Sequence, residues 1–328
     1  MKNFDPKYNN IPKTEIHCHL EGSIPPKLAL ELAERNGLVL PANLLDAKGH
    51  YAWTNFWSFL DAYDRVCTAL KTPRDFRDVI YTYLASAARE GAVYVEMFCS
   101  PERPAALGIS YVHWLEALAA GIDDARREFG IEGRIIIICI RHLGPERAEA
   151  MVRAMLAEPH PYVVGFGMGG DEAKFAPVDF APAYRLAHEN GYGCTVHAGE
   201  VVGPESVWAA IRDLPVTRIG HGVRSADDPA LMEELARRGI VLEVCPGSNV
   251  ALGLYPDRAS HPLHRLIGAG VPITLNSDDP PFFHTTLGTE YDLAGLDGRQ
   301  LRGIARATIE ASFADEATKR QLLERISP

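Results

Sequence analysis

The stretch Ile16-His17-Cys18-His19-Leu20-Glu21-Gly22 sets two imidazoles one residue apart, after an apolar lead-in and just before a glycine. The segment Thr14–Leu20 reads as a β-strand. Side chains on a strand alternate between its faces, so His17 and His19 share one face and Cys18 takes the other. Two histidines on one face at a strand end can bind a divalent metal. They can equally be ordinary polar residues where a strand stops. The rest of the chain has to decide.

Seven further stretches are short and mostly apolar: Ala92–Cys99, Gly133–Ile140, Val163–Gly167, Gly193–His197, Arg218–His221, Val241–Cys245 and Pro272–Leu275. Several are apolar at nearly every position, the pattern of a parallel sheet covered on both faces. Helical patterns separate them. Pro26–Asn36 begins after Pro25 and stops at Gly37, a start and stop signature. Pro73–Glu90, Ser110–Phe129, Pro145–Leu156, Asp179–Asn190, Glu205–Asp213, Pro229–Arg238 and Pro262–Ala269 also read as helices, and Gly298–Ala311 and Ala314–Arg325 close the chain. Eight strands alternating with helices predict an α/β chain. The economical closure is a (β/α)8 TIM barrel with extra helices after strand 1 and at the C-terminus, and an open doubly wound sheet is the alternative. No GxGxxG follows the first strand, which argues against dinucleotide binding. Residues 21–91 form a long excursion carrying Trp53, Phe56, Trp57 and Phe59. It reads equally as packing on the barrel wall or as a partial lid over a ligand. No internal repeat or linker divides the chain, so a single domain over residues 1–328 is expected.

The chain is 47% hydrophobic and 23% charged, enough for a large core and unlike a disordered segment. Its formal net charge of -10 offers no overall attraction for nucleic acid or an anionic membrane, and no Lys/Arg cluster acts locally, so neither partner is expected. The longest apolar run, Ile135–Ile140, is far too short to span a bilayer. Met1–Pro6 is polar and lacks a signal-peptide core. Cys18, Cys67, Cys99, Cys139, Cys194 and Cys245 are scattered without a CxxC pair, mostly in strand-like stretches. Reduced buried thiols and a cytoplasmic location are the expectation.

In a barrel, chemistry gathers where the strands end at the C-terminal face. Here those ends carry His17 and His19, then Gly169-Gly170-Asp171-Glu172, then His197 and Glu200, then His221, then Cys245 to Asn249, then Asp278 and Asp279. Four histidines together with Glu200, Asp278 and Asp279 on one rim are rarely accidental. A mononuclear Zn2+ site needs nitrogen and oxygen donors with a position left for water. His17, His19, His197 and Asp278 offer three nitrogens and one oxygen, and a metal there lowers the pKa of a bound water toward neutrality. A second metal would need a bridging carboxylate, often on a carbamylated lysine of a middle strand. The fourth strand has no lysine, and Lys174 lies past its end, so one Zn2+ per chain is expected. Glu200, three residues beyond His197, suits a general acid if a dry pocket keeps it protonated, although a helix-capping role fits the same position. His221 can exchange a proton with the water or sit as a satisfied core histidine. Asp279 follows a ligand and points toward substrate, or belongs to the turn before Pro280-Pro281. Gly169 and Gly170 let a flat ligand approach the backbone. Cys245 reads as a buried thiol, because no base is positioned for it.

Taken together, P-K-T-E-I-H-C-H-L-E-G (Pro12–Gly22), G-G-D-E (Gly169–Glu172), T-V-H-A-G-E (Thr195–Glu200), R-I-G-H-G-V (Arg218–Val223), C-P-G-S-N (Cys245–Asn249) and N-S-D-D-P (Asn276–Pro280) resemble the adenosine deaminase family of the amidohydrolase superfamily. The pieces stand in the expected order over most of the chain. The resemblance implies a (β/α)8 barrel with one Zn2+ that hydrolyses the 6-amino group from a purine to give the 6-oxo purine and ammonia. It implies His17, His19, His197 and Asp278 as zinc ligands, with His19 and Asp278 also beside the substrate and reacting water. Glu200 would protonate purine N1, and His221 would orient and help activate the attacking water. Asp279 would hydrogen-bond N7, and the Gly170 backbone would contact N3. One position departs from the family. Adenosine deaminases commonly carry Asp after the H-x-H-L, reaching the ribose 5′-hydroxyl, where this chain has Glu21. Adenine deaminases commonly have Glu there but usually lack G-G-D-E. Weighting the G-D-E segment, which lies beside the purine ring, favours adenosine, giving inosine and ammonia. Adenine as the free base and aminodeoxyfutalosine are the alternatives. The expected partners are a small purine nucleoside or base and water.

Overall fold

The computed structural model describes residues 10–327. Among them, eight strands run parallel in chain order: β1 Lys13–His19, β2 Ala92–Cys99, β3 Glu132–Ile140, β4 Val163–Gly169, β5 Gly193–Ala198, β6 Arg218–His221, β7 Val241–Val244 and β8 Ile273–Leu275. Each pairs with the next. The seam between β8 and β1 closes at its C-terminal end. There the His19 N–H donates to the Asp278 carbonyl at 3.0 Å and the Asp278 N–H donates to the His17 carbonyl at 3.2 Å. Lower on the seam a side chain substitutes for a strand, because β8 is short: Asn276 Oδ1 accepts from the Ile16 N–H at 3.0 Å, and its Nδ2 donates to the Val244 carbonyl at 3.1 Å. The sheet is therefore a barrel, not an open doubly wound sheet. The polar Met1–Pro6 segment lies outside the described residues.

The expected strands and helices form with their ends shifted by one or two residues, with a few exceptions. The segment expected as one helix over Asp179–Asn190 opens as a 3-10 turn, Pro177–Phe180, before the α-helix Ala181–Glu189. Three helices too short to show a period, Glu102–Ala106, Pro246–Ala251 and Leu287–Leu293, were not anticipated. Chain ends of the helices follow their capping residues. The Ser110 side chain accepts from the His113 N–H to open Tyr111–Phe129, and Gly130 ends it at φ 69.

The register of β1 against β2 slips twice, between Lys13 and Thr14 and again between Glu15 and Cys18. The Glu15 carboxylate turns to the Ser277 hydroxyl at 2.6 Å and to Tyr83 on the helix Pro73–Arg89, while Ile16 packs with Tyr94. The second slip leaves His17 and His19 on one face, with Cys18 on the other.

The barrel interior holds charge as well as apolar side chains. Arg218 of β6 is wholly buried between Glu96 of β2 and Glu243 of β7, each 2.7 Å away, with the Phe313 ring 3.6 Å beneath its guanidinium. Such a group is tolerated inside only because both sides are paired. The long excursion is mainly packing. The Trp53 indole N–H donates to the Phe282 carbonyl at 2.8 Å, and Phe59 and Tyr63 stack against Phe282 and Phe283, just downstream of Asp278-Asp279. Phe56 and Trp57 stay exposed. Among the described residues no helix is long and apolar enough to cross a membrane.

Replacing Arg218 by Met strands two buried carboxylates. The expected loss is about 3–5 kcal/mol of unfolding free energy, read as a lower denaturant midpoint at unchanged slope.

Candidate active site

At the C-terminal rim the separations are those of a ligand shell. Asp278 Oδ1 lies 3.5 Å from His17 Nε2 and 3.3 Å from His19 Nε2, and His19 Nε2 lies 3.2 Å from His197 Nε2. Donors about 2.0–2.1 Å from a tetrahedral ion sit about 3.4 Å apart. His17 Nε2 is buried without a hydrogen-bond partner, and ligand atoms of His17, His19 and His197 all lie within 4.8 Å of one another. The donor set is that of a borderline cation such as Zn2+. These residues therefore fit a single divalent ion. His17, His221, Cys245 and Asp278 also cluster, but this set suits a metal less well. The Cys245 thiol already donates to the Glu243 carbonyl at 3.5 Å, and burial pushes its pKa well up, away from the thiolate a metal needs.

Glu243 explains how His17 is aimed. Its Oε2 accepts from His17 Nδ1–H at 2.8 Å, which puts the free lone pair on Nε2, and its Oε1 takes a bond from the Thr195 hydroxyl at 2.9 Å. Burial opposes positive charge on His17, yet the Asp278 and Glu243 carboxylates outweigh it and take its pKa to about 9. The same field favours a cation. Asp278 is buried too, but the His17 and His19 imidazoles beside its carboxylate hold it well below the usual range. Two glycines make room. A Cβ on Gly220 would lie 2.9 Å from His17 Cε1, and one on Gly22 would fall 1.5 Å from Asp279 Oδ1. Gly22 is thus required by the acid it abuts. His221 and Asp278 both adopt left-handed backbone, φ 59 and φ 64, strain of about 1–3 kcal/mol apiece that the surrounding barrel sustains.

The remaining rim residues converge on the same space. Glu200 Oε2 lies 3.6 Å from His221 Nε2, and burial, then the Asp278 and Glu172 charges, push the Glu200 carboxyl up to about 8. Burial takes His221 down to about 3, so its ring is neutral. Asn249 contacts His221 Nδ1 at 3.4 Å and accepts from His261 Nε2–H at 3.1 Å. Asp279 Oδ1 is buried and unpartnered, and burial, then Asp278, raise its carboxyl well above the ordinary range. Glu21 is buried and rises to about 7 for the same first reason, against the opposing charge of Arg103. Gly169 faces the rings of His197 and His19, whereas Gly170, at φ 97, abuts His142 and Ile140.

Glu172 stands apart from the sequence reading of G-G-D-E. It accepts from the N–H groups of Gly199, Glu200, Val201 and Val202 and from the Ser206 hydroxyl. Glu243 was the residue missed; Glu172 and Asn249 stood in the rim motifs without these contacts being read from them. A charge inside an otherwise apolar strand, as in V-L-E-V, was the available signal for Glu243.

An eight-stranded parallel barrel with three imidazoles and a carboxylate at its C-terminal rim has the architecture of a metal-dependent hydrolase. Residues 12–328 match the adenosine deaminase family, and the chain belongs to it. It is 43% identical over 322 residues to the adenine deaminase of Agrobacterium fabrum, covering 97% of this chain and 98% of that protein. Among solved structures, the adenine deaminase of Arthrobacter aurescens superposes with a TM-score of 0.89 at 30% identity, covering 96% of this chain and 98% of that one. A zinc-bound amidohydrolase from Burkholderia ambifaria superposes with a TM-score of 0.88 at 29% identity, covering 97% and 90%.

Replacing Glu243 by Gln removes the carboxylate behind His17. Metal affinity is expected to weaken about 10–100-fold, measured by competition with a chelator, with the fold intact by circular dichroism.

Proposed function

We propose that this chain is a zinc-dependent adenine deaminase, one hydrolase domain that converts adenine and water to hypoxanthine and ammonia. The observation that carries the substrate is the similarity, along nearly the whole chain, to a protein named adenine deaminase. Glu21 supports the same choice. It is one methylene longer than the Asp that reaches a ribose hydroxyl, and it is enclosed with Tyr63 and Cys67, whose ionisation it opposes. The adenosine reading, favoured from the sequence by G-G-D-E, gives way to the free base.

In this proposal His17, His19, His197 and Asp278 hold one Zn2+. The ion, when bound, supplies a Lewis acid that brings the pKa of a ligated water toward neutrality. The chain's own groups do the rest. Glu200, protonated at neutral pH, gives its proton to N1 and so leaves C6 open to attack. His221, neutral and steadied by Asn249, takes a proton from the attacking water at Nε2. Asp279, also protonated, donates to N7, which fixes the ring plane. The Gly170 backbone meets N3. The water oxygen bonds to C6, and His221 passes its proton to the amino nitrogen. The C6–N bond breaks to release ammonia, while the remaining hydroxyl proton restores Glu200 as the C6 carbonyl forms.

The substrate is tested by kcat/KM on adenine, adenosine, deoxyadenosine and aminodeoxyfutalosine assayed side by side with metal analysis. Adenine is expected to exceed adenosine by about a hundredfold, some 2.7 kcal/mol of discrimination, and parity would sink the free-base reading. The acid is tested by Glu200→Gln, expected to keep its metal and lose about 10²–10⁴-fold in kcat. Because Glu200 must carry its proton, wild-type kcat/KM should decline as pH rises through about 8. The residual activity of the Gln variant should lack that alkaline limb.

A further inference from the structure

We propose that Glu172 is the positioning residue for the acid Glu200, holding the turn that carries it through a ring of converging backbone donors. This rests on the deaminase reading above. Four consecutive N–H groups, from Gly199 to Val202, converge on this one carboxylate, at 3.1 Å from Glu200, 2.8 Å from Val201 and 3.0 Å from Val202, with Gly199 closer still. The Ser206 hydroxyl adds a fifth bond at 2.6 Å from the first turn of the helix Pro204–Asp213. Residues 199–203 belong to no strand or helix, lying between the end of β5 and that helix. The carbonyl of Gly199 is tied to the Arg224 N–H at 2.9 Å, but the peptide N–H groups of the three residues after it find their partner in Glu172.

An anion is the group this turn requires. Successive N–H groups aimed at one point form a concave donor site that a carboxylate fills and a neutral side chain does not. Glu172 leaves β4 three residues after Gly169, whose Cα lies against the rings of His197 and His19. One short segment therefore touches the ligand imidazoles at one end and anchors the acid's backbone at the other. Its charge also stands beside the Glu200 carboxyl and, after burial and Asp278, helps keep it protonated. Holding the acid in reach of N1 is a matter of fractions of an ångström, so loosening this turn acts on the chemical step more than on binding.

The test is Glu172→Gln in the zinc-loaded enzyme, which keeps the shape but turns an amide toward N–H donors. Zinc content should be unchanged, KM for adenine should stay within about threefold, and kcat should fall about 10²-fold. Hydrogen exchange at the Gly199–Val202 amides should quicken in the same variant, a readout that needs no substrate. Glu172→Asp, which keeps the charge on a shorter stem, should recover about tenfold of the lost kcat. Unchanged exchange at those amides would overturn the proposal, as would a loss confined to KM or zinc content, or no recovery with Asp. Failure of wild-type enzyme to turn over adenine would count against the substrate reading alone, because the exchange result stands independently.

Discussion

The contact on which the site depends is the one between Glu243 and His17, inside the barrel. Glu243 cannot sit there alone. A carboxylate in an apolar interior is tolerated when its charge is matched, and Arg218 provides the match while Glu96 balances the other side of the guanidinium. The line Glu96, Arg218, Glu243, His17 thus joins four different strands and ends at the rim. It converts an ion pair in the core into the orientation of a single imidazole. Removing any member leaves a buried group without a partner, which ties the integrity of the core to the geometry of the ligand shell.

The rim shows the same logic in its carboxyls. Glu200, Asp279 and Glu21 are all driven upward, first by burial. Asp278 lies among them yet is driven down, because the imidazoles of His17 and His19 face its carboxylate. One small volume therefore keeps an anionic ligand beside neutral acids able to donate protons. That separation of pKa values is what acid-assisted hydrolysis of a purine requires. Strain is concentrated there as well, in the left-handed backbone at His221 and Asp278, where the barrel seam and neighbouring turns leave the chain no alternative.

The barrel was legible because its signals are local. Runs such as Ile135–Ile140 are apolar at every position, and proline and glycine punctuate the helices between strands. The short helices escaped because five to seven residues do not complete a recognisable amphipathic pattern. Within the site, H-x-H, H-A-G-E and D-D-P each announced donors at a strand end. Glu243 and Glu172 did not, since nothing adjacent to them in the chain hints at partners 226 and 27 residues away. The Trp53–Phe59 aromatics were legible as a cluster, but whether they covered a ligand or a wall depended on where Phe282 and Phe283 stood.

By itself the sequence determined the order of strands and helices, the rim on which the polar residues fall, and the chemical types available there. Periodicity and composition act over a few residues, and these features need no more. Only the tertiary structure decided which nitrogen of His17 meets Glu243, that Asp278 meets both histidines of β1 across the closing seam, and that Glu172 accepts from four consecutive N–H groups of the turn after β5. Each of these is a hydrogen bond between segments distant in the chain, and its existence depends on how the barrel closes.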